Sequence, residues 1–497
     1  MLYNSTRDNN AVVESASAIA HGISVEGGLF VPQSIPSLTN EDFQNLKKLD
    51  YVGRAQYVFK NFLTDFTDDE LKYCTEGAYK GSFDNDKPAP IKSLDDSLNI
   101  LELWHGPTCA FKDLALQILP YLLTTSASKV SSGKKTVILV ATSGDTGKAA
   151  LEGFKDVKDT EIMVFYPNDG VSAMQQLQMN TQKGENVHVC AINGNFDDAQ
   201  SGVKTIFTDN AIKEILAKNN MEFSSANSIN WGRLAPQIIY YISAYCDLLD
   251  KGEDYLKDGF NVVVPTGNFG NILAAYYAKI MGVPINKLIC ASNSNNVLTD
   301  FISTGTYDRN RSFYTTISPS MDILISSNLE RMLYELTGHN DKQVSLWQDS
   351  LKNEGKYTVT DEVFEKLKEH FYGGFCSEEK TSETIKETFK KYGYLIDTHT
   401  AVAVSVYNDY KANTADNRPV LIASTASPYK FANSVLEAIG ETVPADEFDA
   451  VKLLSEKTNT VIPSPIADLE NAKVRFNNVC DKEDMCKVVL DRLGINH

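Results

Sequence analysis

Short apolar runs that alternate with helical stretches limit the folds open to this chain more than any other feature. TVILVAT (136–142), EIMVFYP (161–167), NVHVCAI (186–192), NVVVP (261–265), KLICAS (287–292) and PVLIAST (419–425) read as strands, and glycine-containing turns lead from several of them into helical sequence. Strands that are apolar on both faces and separated by helices build a mostly parallel α/β sheet, because a crossover helix is what joins parallel neighbours. At 497 residues, and about 150 residues per unit, the chain has room for about three units with a cleft between lobes. The first ninety or so residues read differently. They mix short polar and apolar segments around the turn-rich GISVEGGLFVP (22–32) and an acidic helical run at 67–79, the mark of a small α+β unit. The polar stretch SFDNDKPAP (82–90) is the boundary candidate.

Charge and cysteine usage exclude several classes. Sixty-five acidic residues against 47 basic ones give a net charge of −18, which repels polyphosphate backbones, so no nucleic-acid partner is expected. No apolar run approaches the roughly 18 to 20 residues of a membrane span, and MLYNSTRDNN has no apolar core of a secretory signal. The eight cysteines are scattered without a C-x-x-C pair or a neighbouring His at ligand spacing. Reduced thiols, a cytoplasmic location and no metal site are therefore expected.

Four segments carry chemistry. In AFKDLALQILPYLL (110–123), Lys112 shares a helical face with Ala115, Leu116 and Leu119, so it is expected to point inward. Desolvation lowers the proton affinity of a lysine and prepares it as a nucleophile or Schiff-base partner. The alternative is that Lys112 pairs with Asp113 or snorkels at a helix start just after Gly106 and Pro107. In PTGNFGN (265–271) a strand runs through Gly267, Asn268, Phe269, Gly270 and Asn271 straight into a helix, so backbone N–H groups converge as they do around a phosphate. The glycine spacing fits neither the dinucleotide fingerprint nor a P-loop. ATSGDTGKAA (141–150) offers the hydroxyls of Thr142, Ser143 and Thr146 beside a helix start, with Asp145 alongside. That set suits a carboxylate, or is merely a capping cluster. SSANSINWGRL (224–234) gathers Asn227, Ser228 and Arg233 as donors for a second anion, or is a surface turn.

These residues resemble a known family, the long-chain threonine synthases, which are pyridoxal-phosphate enzymes of the tryptophan-synthase-β fold group. HGPTCAFKDLALQ (105–117) is similar to its cofactor-lysine motif, GNFGN (267–271) to its cofactor-phosphate loop, SGDTG (143–147) to its substrate loop and SSANSINWGRL to its second anion segment. STR (5–7), GGLFVP (27–32), SPSMDI (318–323), HTAVA (399–403) and STASPYKFA (424–432) extend the resemblance over nearly the whole chain. The sequence departs at Ser427, where the family has His, and at Thr398, where it has Pro; no role is assigned to Ser427.

The resemblance implies a fold type II pyridoxal 5′-phosphate enzyme: two lobes of mostly parallel sheet with flanking helices, behind a small α+β N-terminal domain. The implied division is 1–95 for that domain and 96–497 for the catalytic region, whose smaller lobe spans roughly 130–230. The implied reaction takes O-phospho-L-homoserine and water to L-threonine and phosphate, the last step of threonine synthesis. Lys112 would form the Schiff base and move protons. Residues 267–271 would hold the cofactor phosphate, Asp145 would lie near the 3′-hydroxyl, and Thr425 would meet the pyridine nitrogen. Thr142 and Ser143 would hold the substrate carboxylate, and Thr146, Asn227, Ser228 and Arg233 its phosphate. The runner-up is another lyase or dehydratase of this fold acting on a hydroxy- or phospho-amino acid, which would keep Lys112 and the glycine loop but should lack the Asn227–Ser228–Arg233 set that is present here. A non-catalytic binding protein would need no Lys112. The sequence sets no oligomeric state.

Overall fold

The computed structural model describes residues 1–130, 133–142, 144–169 and 171–495. Two parallel sheets dominate it. The larger has six strands in the spatial order Phe371–Phe375, Ile285–Ser292, Phe260–Pro265, Val420–Ser424, Leu98–Glu102 and Ile91–Ser93. All its pairings are parallel except the last, an antiparallel edge. The smaller runs Val479–Asp481, Val187–Asn193, Thr160–Pro167, Lys135–Ala141 and Met221–Ser224, parallel throughout. Residues such as Ile138, Val164, Val262 and Ile422 are fully buried, as sheets covered by helices on both faces require.

The strands read from sequence are present, and the five others of these two sheets, Ile91–Ser93 and Met221–Ser224 among them, carried too little pattern to be read. Leu98–Glu102 is short, Phe371–Phe375 contains two glycines, and Val479–Asp481 has only three residues. The last of these changes the lobe boundary. It pairs with Val187–Asn193, and the helix Met485–Arg492 places Met485, Val489 and Leu490 in one core with Val137, Leu139 and Met163. The smaller lobe is thus completed by the C-terminus, beyond the roughly 130–230 expected. The strand Ile91–Ser93 belongs to the large sheet although it precedes residue 96.

The N-terminal segment forms an antiparallel sheet of Asp8–Glu14, Leu2–Ser5 and Phe30–Pro32, followed by helices Asn40–Lys47, Tyr51–Phe62 and Asp68–Tyr79. The acidic run starts cleanly because Thr67 and Glu70 exchange backbone-to-side-chain bonds in a capping box. This unit docks on the long helix Trp231–Leu248. Trp231 meets Tyr3 and Phe62 edge-on, and buried Arg54 reaches Asp247 at 2.8 Å.

Helix Asp145–Phe154 of the smaller lobe packs on the short helix Asp113–Leu116. A Cβ at Gly153 would lie 2.0 Å from the Leu116 carbonyl oxygen, so only glycine permits this approach. It draws the carboxyl end of strand Lys135–Ala141 towards those of Phe260–Pro265 and Val420–Ser424, where ligands of open α/β sheets bind.

Candidate active site

Lys112 does not stand inside a long apolar helix. It is the N-cap of the four-residue helix Asp113–Leu116, and a second helix, Leu119–Val130, begins two residues later. Pro120 enforces the break, since it has no N–H for an i−4 bond and is tolerated only in a first turn. The preceding residues are pinned to the end of the Val420–Ser424 strand. Phe111 N–H donates to the Thr425 carbonyl at 2.8 Å, Ser427 N–H to Cys109 at 3.1 Å, and Ala110 bridges Ala426. Buried Thr425 is thereby placed beside Lys112. The Lys112 side chain is 13 % exposed. Burial pulls its pKa down, Lys430 and Arg233 add to that, and Asp145 with Asp113 opposes it.

Asp145 opens the helix Asp145–Phe154, after Gly144 in a left-handed conformation at φ 134°. Its Oδ2 is 3.9 Å from Lys112 Nζ, while its Oδ1 meets Lys430 Nζ at 2.6 Å and accepts from Gln175 Nε2 at 3.2 Å. Burial alone would raise the carboxyl, but the two lysines and the donated bonds hold it well below the usual range. The Thr142 hydroxyl accepts from the Gly144 and Gly147 N–H groups at 3.0 and 2.9 Å. It is therefore spent on shaping this loop, and any effect of Thr142 on a ligand passes through the loop backbone. Thr146 is half-buried on the first helical turn, and Ser143 lies outside the described residues.

The glycine loop follows the strand Phe260–Pro265 into helix Gly270–Ile280. Phe269 at its N-cap is left-handed, at φ 60°, and provides no side-chain cap, so the first N–H groups of the helix point outward unclaimed by the usual cap. Asn328 clamps the loop with its N–H and Nδ2, both donating to the Asn268 carbonyl at 3.1 and 3.0 Å. Ser326 Oγ donates to the Gly267 carbonyl at 2.8 Å. The Asn271 side chain accepts from Tyr241, and its buried Nδ2 has no partner among the described residues.

The 224–234 segment lies against this loop. The Ser228 and Ser327 hydroxyls are 3.4 Å apart, and Ser327 donates to Asn268 Oδ1 at 3.3 Å. Asn227 is exposed. Buried Arg233 donates from Nη1 to the Ala226 carbonyl at 2.6 Å, and its Nε has no partner among the described residues. Thus the structure brings together Lys112, Asp145 and Thr425, and joins 267–271 to the Ser228–Arg233 segment. Sequence reading missed Lys430, Gln175, Ser327 and Asn328. It also missed Arg331, fully buried, which donates to the Phe30 carbonyl at 3.0 Å and to Asn328 Oδ1 at 2.6 Å. Lys430 and Asn328 lie in or next to the STASPYKFA and SPSMDI stretches, but nothing in those stretches announced their partners.

Asp113 gives a pH signature. Burial pushes its carboxyl up to about 6, against bonds from the Thr108 N–H and hydroxyl at 2.8 and 2.7 Å. The folded chain then holds this proton more tightly than the unfolded chain, where Asp titrates near ~3.9. The contribution to stability is full below about pH 4 and is lost as the pH rises through about 6. In urea titrations the parent should therefore lose stability relative to Asp113→Asn across that window. A pH-independent difference would contradict the shift.

Comparison with known proteins bears on this geometry. A family model described as threonine synthase N terminus matches residues 2–79, one described as pyridoxal-phosphate dependent enzyme matches 92–425, and one described as threonine synthase, C-terminal matches 400–489. Threonine synthase of Pseudomonas aeruginosa is 38% identical over 474 residues, covering 95% of this chain and 97% of that protein. Human threonine synthase-like 1 is 41% identical over 434 residues, or 85% of this chain, which spans 58% of that longer protein. The crystal structure of pyridoxal-phosphate-bound threonine synthase from Brucella melitensis superposes with a TM-score of 0.88 at 35% identity, covering 100% of both chains.

Proposed function

Because the chain belongs to the threonine synthase family of pyridoxal-phosphate-dependent enzymes, we propose that it converts O-phospho-L-homoserine and water to L-threonine and phosphate. The observation that carries this reading is the buried Arg233 beside the glycine loop, whose Nε has no partner among the described residues and so supports a further anion site. A cofactor phosphate would take the glycine loop and an amino-acid carboxylate the loop at 142–147, so a third set of donors is what a phosphorylated substrate requires.

The residues fit the cofactor. Asn271 Nδ2 is buried and unpartnered among the described residues, next to an uncapped helix start that attracts phosphate. At Gly270 a Cβ would have no atom closer than the Asn328 Nδ2 at 3.4 Å, so backbone can approach a ligand there. Residues 267–271 would hold the phosphate, Thr425 the pyridine nitrogen and Asp145 the 3′-hydroxyl side. Pyridoxal phosphate, when bound, supplies an aldehyde for an amine and an electron sink for charge released at the substrate's Cα and Cβ. Lys112, with its lowered proton affinity, takes protons from Cα and Cβ and, once phosphate has left, returns them to Cγ and Cα. Thr425 offers a hydroxyl where a carboxylate would favour a protonated ring. Arg233, Ser228, Asn227 and Thr146 orient the phosphate that departs from Cγ, and the loop around Thr142, Ser143 and Gly144 orients the carboxylate. Water then adds at Cβ.

A chain of net charge −18 draws in a dianion only if local donors outweigh the global field, and the buried guanidinium groups of Arg233 and Arg331 supply that positive charge. The reading carries a cytoplasmic location, supported by eight free cysteines. Among the described residues no helix is long and apolar enough to cross a membrane.

Gly270→Val tests the cofactor assignment. The chain should fold normally yet need roughly tenfold or more pyridoxal phosphate for half-reconstitution, measured by visible absorbance. Parent-like reconstitution would remove the loop from the site.

A further inference from the structure

Two lysines of the larger lobe reach Asp145, and the one outside the cofactor-lysine motif holds it more closely. Lys430 Nζ lies 2.6 Å from Oδ1, whereas Lys112 Nζ lies 3.9 Å from Oδ2. Lys430 leaves the short 3-10 turn Pro428–Phe431, and its Nζ also donates to the Thr108 carbonyl at 3.0 Å. The Lys430 and Asp145 side chains are 1 % and 4 % exposed, so solvent screens their interaction little. The contact joins the two lobes at the point where Lys112 works.

A lysine acts as a nucleophile or base only without its proton. A buried carboxylate with no other partner, 3.9 Å away, would keep Lys112 charged. Lys430 claims that carboxylate at shorter range and adds a like charge of its own. The other charged groups bearing on Lys112 are Arg233, which acts in the same direction, and Asp113, which opposes.

We propose that Lys430 is a positioning residue for Lys112: it takes Asp145 as its own partner and so releases the Lys112 amine from the counter-ion that would keep it protonated. The proposal rests on the reading of Lys112 as the cofactor-bearing lysine. Trapping of pyridoxal phosphate on Lys112 by borohydride in the parent protein tests that reading separately.

The experiment uses the full-length chain stripped of cofactor. Acetic anhydride labels Lys112 at a series of pH values, and peptide mass spectrometry reads the midpoint, with neither cofactor nor substrate present. Lys430→Met should move the midpoint to higher pH by about one unit or more, and Lys430→Arg should stay near the parent. An unchanged midpoint in Lys430→Met, or the same rise in Lys430→Arg, overturns the proposal. Should Lys430→Met not fold, with Asp145 deprived of its nearest cation, Asp145→Asn is compared with Lys430→Met/Asp145→Asn. Loss of the like charge should then raise the midpoint of the double variant above that of the single one, and equal midpoints overturn the proposal.

Discussion

Replacing Lys112 by Ala is expected to lower turnover by several orders of magnitude and to abolish the covalent hold on pyridoxal phosphate. Two contributions vanish together, the amine that bonds the cofactor and the base that moves protons, and residues acting as a unit lose their effects jointly. The fold should survive. Lys112 caps a four-residue helix without a side-chain bond to it, and Asp145 keeps its contact with Lys430. Lys112→Arg should fail as badly, because a guanidinium stays protonated. The measurements are phosphate release and borohydride trapping on the peptide containing residue 112, beside a thermal melt. Near-normal turnover in a folded Lys112→Ala would refute the assignment.

Arg233→Ala should leave cofactor binding intact and cost about 2 to 5 kcal/mol in substrate binding or transition-state stabilisation. The structural loss is small, since the only bond the guanidinium makes among the described residues is to the Ala226 carbonyl at 2.6 Å. What disappears is a buried cation whose Nε awaits a partner. The effect should read as a fall in kcat/KM for the phosphorylated substrate with unchanged reconstitution by pyridoxal phosphate. If Arg233→Ala instead stripped the cofactor and spared the substrate KM, the two anion sites would be exchanged.

The parallel architecture was legible because strands such as TVILVAT and NVVVP are apolar on both faces, a pattern few other environments produce. The glycine loop and the Arg233 segment were legible because each is compact in sequence. What escaped was made by distance along the chain. Nothing near residue 430 indicates that its lysine meets Asp145 from another lobe, and nothing in Val479–Asp481 indicates that three residues complete a sheet begun at Lys135. The periodicity of 110–123 carries Lys112 inward on one continuous helix, and Pro120 is the residue in that stretch that signals the break.

The two departures from the family pattern now have local accounts. Thr398 is the first residue of helix Thr398–Thr414, after the cap Asp397. At that position proline is favoured but not required, because the N–H has no intrahelical partner in any case. Ser427 caps the turn Pro428–Phe431 by accepting from the Tyr429 N–H, which helps fix the segment carrying Lys430.

The most direct test is product analysis with O-phospho-L-homoserine, beside O-phospho-L-serine and L-threonine as alternative substrates. The account predicts phosphate and L-threonine in equal amounts from O-phospho-L-homoserine, with little turnover of the other two. Phosphate released with a 2-oxo acid in place of threonine, or faster turnover of O-phospho-L-serine or threonine, would contradict it and place the chain among the other lyases and dehydratases of this fold.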